Sequence, residues 1–152
     1  MRNTPEHYLS TLREHFAQLR TNTLRSHVQI KRNFDLPIES SPLLQSTLQK
    51  LNGQAMFLWD RNIPAMVGAY FRDMERVLME CRRLLSARGK LMMVVGDSRY
   101  SDVTIPVADI LAQQAKSLGF GHVKTRRVRQ MRSSAQQGGK FQLAESIVEL
   151  RI

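Results

Sequence analysis

Apolar residues recur at helical spacing in two stretches near the start of the chain. The first stretch predicts an amphipathic helix over residues 5 to about 21. The second predicts a short helix over residues 42 to about 51, with Ser40 or Ser41 as its N-cap. Residues 22–40 between them show no regular period and end in a segment rich in Ser and Pro, which is typical of a loop. The chain is therefore predicted to begin with a helical region.

The longest helical pattern follows this region. It begins after Asn62, which is placed to cap it, has Pro64 in its first turn and ends at Gly89. Many methionines on its apolar face would suit an adaptable binding groove. Core packing is favoured, because the next element is a predicted strand. The apolar positions step by three or four residues and form one wide face: Ile63, Met66, Val67, Tyr70, Phe71, Met74, Val77, Leu78, Cys81, Leu84 and Leu85.

The continuous apolar run Leu91–Val95 predicts a strand that is buried on both faces. Such strands lie in the middle of α/β sheets, and ligands bind beyond their carboxyl ends. Asp97, Ser98 and Arg99 occupy that position here and are candidates for lining a cleft. The alternative for Asp97 and Ser98 is a turn stabilised by an Asx hydrogen bond.

The rest of the chain predicts one more helix and two strands. Pro106 opens the helix and Gly119 ends it. A strand follows from about residue 122 to 131, and an alternating strand from about 145 to 152 closes the chain. Because only a short turn-rich segment joins these strands, we expect them to pair antiparallel. The order from residue 63 is thus helix, strand, helix, strand, strand, which indicates an α/β fold.

The composition indicates the class of partner and the cellular compartment of the protein. The 152 residues carry 23 Lys and Arg against 13 Asp and Glu, a net charge of +10, which favours nucleic acid as a partner. A single cysteine and the lack of a secretory or membrane-spanning apolar run indicate a cytoplasmic protein without a membrane partner. No metal site, catalytic triad, paired carboxylates or phosphate loop is apparent from the residue spacing.

The excess of positive charge is concentrated in the first of the two final strands. That strand is predicted to lie at an outer position, because cations project from both of its faces. We expect it to contact DNA phosphates together with the following Ser-rich loop, although the loop could equally be a solvated turn. The candidate nucleic-acid-binding residues are Lys124, Arg126, Arg127, Arg129, Arg132, Ser133 and Ser134.

Residues 57–152 resemble the later part of class I S-adenosylmethionine-dependent DNA methyltransferases of the amino-methylating type, which act on adenine N6 or cytosine N4. The resemblance implies a partial Rossmann-like sheet with a terminal antiparallel hairpin over residues 57–152. The helical region before it, residues 1–56, is expected to dock a partner, and residues 22–62 would equally suit a lid or an interdomain strap. The matching segments are Tyr70-Phe71-x-Asp73-Met74, Leu78–Leu85, Gly89-Lys90, Val94-Val95-Gly96-Asp97-Ser98-Arg99, Ile105-Pro106, Arg132-Ser133-Ser134 and Glu145-Ser146-Ile147-Val148.

Two parts of that family's machinery have no counterpart in this sequence. The family holds its cofactor on a glycine-rich loop after the first strand, and it holds the target amine on a loop with Pro-Pro and an aromatic residue. The segment most similar to the second loop is Ser41-Pro42-Leu43, which has one proline and no aromatic residue. Without such a loop a flipped base has no positioning device. The resemblance therefore assigns no catalytic residue, and it implies S-adenosylmethionine binding only with a complementing half.

Three functions remain open on this basis. In the first, the chain is part of a DNA methyltransferase that needs a companion chain. In the second, it is a non-catalytic nucleic-acid-binding remnant of that fold. In the third, it is a protein-interaction module. A half-sheet would expose an open edge, so we expect a homo-oligomer or a partner in each case. If Leu91–Val95 lay at the margin of the sheet or in a helix, or if the two final segments were unpaired, the assignment to this family and the role derived from it would be wrong.

Overall fold

The computed structural model describes residues 5–30, 33–34, 41–132 and 142–152, with the side chains of residues 5–12 and 132 excepted. Its α-helices are α1 (Pro5–Thr21), α2 (Pro42–Gly53), α3 (Ile63–Leu84) and α4 (Val107–Ser117), and a short 3-10 turn spans Ala55–Phe57. Its strands are β1 (Leu91–Gly96), β2 (Ser98–Tyr100), β3 (Val103–Ile105), β4 (His122–Arg132) and β5 (Gln142–Arg151). The described chain is a mixed α/β fold.

The predicted helices are confirmed, with differences at their ends. The Ser41 hydroxyl caps α2 by accepting the N–H of Leu44 at 3.1 Å, and it donates to the Gln113 Oε1 atom of α4 at 2.8 Å. The predicted cap of α3 is wrong, because the Asn62 side chain makes no capping hydrogen bond. The α3 helix also ends at Leu84 rather than at Gly89, and extended backbone at Leu85 terminates it.

The main sheet has three strands in the order β1–β5–β4. The central strand, β5, pairs antiparallel with both neighbours, so β1 and β4 run in the same direction. The predicted terminal hairpin of β4 and β5 is thereby confirmed. The predicted alternation of β5 is also confirmed, since Ser146, Val148 and Leu150 are buried while the residues between them are half-buried. The Rossmann-like arrangement of a larger sheet stays a prediction.

The position predicted for the Leu91–Val95 strand is wrong in this structure. It forms β1, but β1 lies at an edge of the described sheet, and one of its faces is open. The side chains of Met92 and Val94 are 56% and 66% exposed, whereas the alternate residues pack against the core. A continuous apolar run shows only that the side chains on both faces of the strand are suited to burial. Covering the second face requires further elements, and no described residue provides them.

A second difference lies directly after β1. Residues 97–105, between the predicted strand and the helix that Pro106 opens, contain a small antiparallel hairpin of β2 and β3, which turns at Ser101 with a left-handed φ of 51°. Its strands have only three residues each, too few for an alternating pattern to be read from the sequence.

The hydrophobic core lies between the helices and the inner face of the sheet. The α4 helix packs on β1, β4 and β5, and the α3 and α2 helices pack behind it. Leu44, Leu48 and Leu51 of α2 belong to the same core cluster as Phe71 of α3 and Val148 of β5. The core thus extends across the boundary predicted between residues 1–56 and 57–152, and the division into two parts stays a prediction.

Candidate functional site

Asp97, the first residue after β1, holds two elements together. Its N–H donates to the Ala144 carbonyl at 2.8 Å, and its Oδ1 atom accepts the N–H of Val107 at 3.0 Å. The second bond occupies one of the free N–H groups at the start of α4, so Asp97 caps that helix across ten residues of chain. Burial raises the pKa of the Asp97 carboxyl, and these hydrogen bonds only partly oppose the rise.

Ser98 and Arg99 point to different places. Ser98 lines a cavity of about 220 Å³ between α3, the end of β1 and the small hairpin. Arg99 instead spans the turn of that hairpin, donating to the Ser101 carbonyl at 3.1 Å and to the Asp102 carboxylate at 2.9 Å. Of the three predicted cleft residues, the structure brings only Ser98 to a cavity wall.

This cavity does not fit a complete S-adenosylmethionine molecule. Its volume of about 220 Å³ lies below the range of roughly 300–1,000 Å³ that is usual for ligands of that size. None of the described residues that line it carries a carboxylate that could accept hydrogen bonds from ribose hydroxyls. The described lining residues are mostly apolar: Ser26, Met66, Val67, Tyr70, Phe71, Gly96, Ser98, Tyr100, Ile105 and Val107.

The chain does contain one G-x-G triplet, Gly119-Phe120-Gly121, but it is not a cofactor loop. It joins α4 to β4, whereas a dinucleotide-type glycine loop leads from a strand into a helix and presents helix N–H groups to the ligand. Gly119 ends α4 with a φ of 81°, and Phe120 is buried in the core. The triplet therefore has a structural role.

The cationic strand is at the edge of the sheet, as predicted. Lys124, Arg126 and Arg127 are exposed on β4 and form no ion pair with any described residue. Arg129 is also exposed, and it pairs with Glu145 of β5 at 3.2 Å between Nη2 and Oε1. The register shifts between Arg127 and Arg129, which marks a β-bulge at this edge.

The remaining predicted contacts cannot be placed. Arg132 ends β4, but its side chain lies outside the description, and Ser133 and Ser134 lie outside the described residues.

The cationic strand and the cavity share one end of the sheet. Because β1 and β4 run in the same direction, their carboxyl ends are adjacent. The Met131 methyl group packs over Gly96, where it lies 2.4 Å from the place a Cβ atom would occupy. Gly96 also lines the cavity, so the cavity mouth and the end of β4 meet at this point.

Sequence reasoning missed two features of this region. The loop between α2 and α3 exposes Met56, Phe57 and Trp59 by 82%, 71% and 54% of their surfaces. Arg25, in the segment whose sequence shows no regular period, is buried and forms a bidentate pair with Asp73 of α3, at 3.0 and 2.7 Å. The first could have been found from three large apolar residues in a turn-rich segment, whereas the second depends on contacts that are distant in sequence.

Two classes of feature were searched for in the described part of the chain. It contains no group of three or more His, Cys, Asp or Glu side chains that could hold a metal ion. It also contains no helix that is both long enough and apolar enough to cross a membrane.

Comparison with known proteins gives a partial match. Over 85 residues, 55% of this chain, the sequence is 35% identical to a "Type II methyltransferase M.AvaI" from Nostoc sp. and to the protein of that name from Anabaena variabilis. The match spans 18% of the length of each relative. No protein-family model matches the chain, and no solved structure gives a significant match.

This similarity confirms the resemblance inferred from the sequence motifs. The edge position of β1 is the position that we expected to rule the resemblance out, and the sequence match supports the resemblance nonetheless. Over a little more than half its length, this chain is related in sequence to a segment of a type II methyltransferase.

Proposed function

We propose that this chain is part of an S-adenosylmethionine-dependent DNA methyltransferase, and that it supplies closing strands of the catalytic sheet and a DNA-contacting strand. The main observation that supports this proposal is the 35% identity to a type II methyltransferase over 85 residues. The glycine-rich cofactor loop and the amine-positioning loop would come from a companion chain or from another segment of a longer one. S-adenosylmethionine would then bind between the two parts and supply the methyl group.

The open side of the sheet supports completion by another polypeptide segment. The outer edge of β1 pairs with no described residue, and that edge carries neither a bulge nor a proline. In contrast, the opposite edge, β4, has a bulge and exposed cations, which are the usual protections against pairing. The two exposed apolar side chains of β1 extend the open surface onto the face of the sheet. An added strand and a covering helix would bury both.

The charge of β4 supports DNA as the substrate. Cations that are exposed and paired with no described carboxylate are free to replace the counterions of a phosphate backbone. They project from both faces of an edge strand, so they can contact several phosphates along a curved groove rather than a single phosphate. Contacts of this kind supply affinity and register, and sequence choice must come from other residues.

A salt titration tests the DNA contact. We expect binding of a fluorescent DNA duplex to weaken steeply with salt, and the double variant Arg126→Ala/Arg127→Ala to make the log–log slope less negative by about 2. The matched control is Arg83→Ala/Arg88→Ala, which removes the same charge from exposed residues outside the sheet. A flat salt response, or equal losses in both double variants, would contradict the assignment of β4.

A transfer assay tests the catalytic part. The chain alone is expected to transfer no labelled methyl group from S-adenosylmethionine to DNA. Together with a polypeptide that carries the two missing loops, it is expected to methylate adenine N6 or cytosine N4. DNA binding without transfer in the presence of that polypeptide would favour the non-catalytic remnant. A stable oligomer without DNA affinity would favour the interaction module.

A further inference from the structure

The loop between α2 and α3 presents an apolar surface that the fold does not use. Its three exposed residues, Met56, Phe57 and Trp59, are here called the aromatic loop cluster. Leu58, in the middle of the cluster, is buried and belongs to the core. Exposing three large apolar side chains within four residues costs solvation free energy, so a contiguous patch of this kind indicates a binding surface.

Hydrogen bonds hold the cluster in its exposed position. The N–H groups of Phe57 and Leu58 donate to Gln54 and Ala55 at 2.9 and 3.4 Å in the 3-10 turn. On the other side, the Asp60 carboxylate accepts the N–H of Asn62 at 2.7 Å. These bonds fix the backbone of the loop, and buried Leu58 anchors it to the core. The loop is therefore ordered before a ligand binds, which lowers the entropic cost of binding.

The cluster lies near the end of the sheet at which the cavity and β4 meet. The Gln54 side-chain carbonyl accepts the N–H of Asp102, in the turn of the hairpin that follows β1, at 3.3 Å. The first turns of α3, directly after the loop, contribute Met66 and Val67 to the cavity wall beside Gly96. The aromatic loop cluster and the carboxyl end of β1 are thus joined through the hairpin and through α3.

We propose that the aromatic loop cluster stacks against unpaired bases of DNA. This proposal rests on the proposed function, since it names how the chain engages its substrate. Exposed aromatic rings combined with a positively charged surface are the usual platform for the bases of single-stranded nucleic acid. Exposed Lys50 and Arg61 flank the cluster in sequence, half-buried Asp60 is the acidic residue between them, and the chain as a whole carries a charge of +10. The excess of cations in the chain favours nucleic acid over a protein as the occupant.

Trp59 permits a direct test, because it is the one tryptophan of the chain. We expect its emission to be quenched when a mixed-sequence single-stranded oligonucleotide is added, and less when the matching duplex is added. Binding of the single strand also weakens with salt, because the strand carries phosphates, but its log–log slope should be shallower than that of the duplex. Unchanged Trp59 emission, while anisotropy of a labelled oligonucleotide reports binding, would overturn the proposal.

A matched pair of variants separates stacking from general loss of structure. Phe57→Ala is expected to lower affinity for the single-stranded oligonucleotide about 10-fold. Phe16→Ala in α1 removes an equally exposed phenyl ring, 60% against 71%, and should leave affinity unchanged. Both variants should melt like the parent chain, because neither ring is buried. Equal affinities in both variants would overturn the proposal.

The outcomes also distinguish this inference from the proposed function. If DNA binding depends on Arg126 and Arg127, while Phe57→Ala leaves affinity unchanged and Trp59 emission does not respond to DNA, the proposed function stands and the stacking surface is refuted. If emission instead changes on addition of the companion polypeptide and never with DNA, the cluster is a protein contact. If no DNA binds at all, both proposals fail together.

Discussion

Asp97 shows how a residue placed correctly in sequence can have a different role in space. We expected it to line a cleft or to close a local turn, and it caps α4 instead, through a 3.0 Å bond to Val107. The capping role could not be read from neighbouring residues, because the partner N–H lies ten residues away, on the far side of the β2–β3 hairpin.

Two substitutions at Asp97 separate its hydrogen bond from its charge. Asp97→Ala is expected to lower the free energy of unfolding by about 1 kcal/mol, because α4 loses its cap. Asp97→Asn keeps an acceptor oxygen and should cost much less. Chemical denaturation of both variants at neutral pH measures the difference. Equal losses would show that the carboxylate charge, rather than the hydrogen bond, stabilises the helix.

The raised pKa of Asp97 gives a pH dependence with a definite sign. Burial makes the folded state bind its proton more tightly than the unfolded state, whose pKa is near 3.8. The stabilisation from this group is therefore complete below pH 3.8 and is lost as the pH rises through the folded-state value. Asp97→Asn should remove that fall from a series of thermal melts. A parent and variant with parallel profiles would refute the assignment.

At the scale of elements, the junction between α4 and β4 depends on one backbone conformation. Gly119 has a φ of 81°, and an added Cβ would lie 3.4 Å from the Arg82 guanidinium. Gly119→Ala is therefore expected to lower the free energy of unfolding by about 1–2 kcal/mol. Gly53, at the end of α2, has open space around it.

The Gly53→Ala variant is the matched control for that change. It should leave stability unchanged or raise it by up to about 1 kcal/mol, because alanine has the higher helix propensity. Urea unfolding of both variants gives the comparison. A loss in Gly53→Ala as large as in Gly119→Ala would show that the left-handed backbone of Gly119 is not the source of the cost.

At the scale of the whole molecule, the open edge and the open face of β1 determine the behaviour that we expect. The apolar face around Met92 and Val94 and the edge of β1, with which no described residue pairs, favour association with a second copy or with another polypeptide. Val94→Glu is expected to reduce self-association in sedimentation velocity experiments. Its melting temperature should change little, because Val94 is 66% exposed.

Val128→Glu is the control for that experiment. Val128 is 41% exposed on β4, at the opposite edge of the sheet, and the substitution introduces the same charge there. It should leave association in the absence of DNA unchanged. If both variants associate like the parent chain, the open face of β1 is not the contact surface.

The sequence by itself determined the elements that depend on local physics. Helical spacing placed α1, α2 and α3, Ser41 marked a true N-cap, and Gly119 marked a true helix end. Cations on both faces of β4 correctly assigned it to an edge, because desolvating them in a sheet interior would cost too much. The motif order likewise sufficed to identify the similarity to DNA methyltransferases.

Only the tertiary structure decided which surfaces are covered and which side chains meet. The run of β1 suits burial on both faces, yet its second face stays open because no described element reaches it. The Arg25–Asp73 pair joins residues 48 positions apart, and Asp97 finds its partner across a hairpin. Periodicity reports the environment that a residue suits, whereas contacts between distant segments arise only when the whole chain packs.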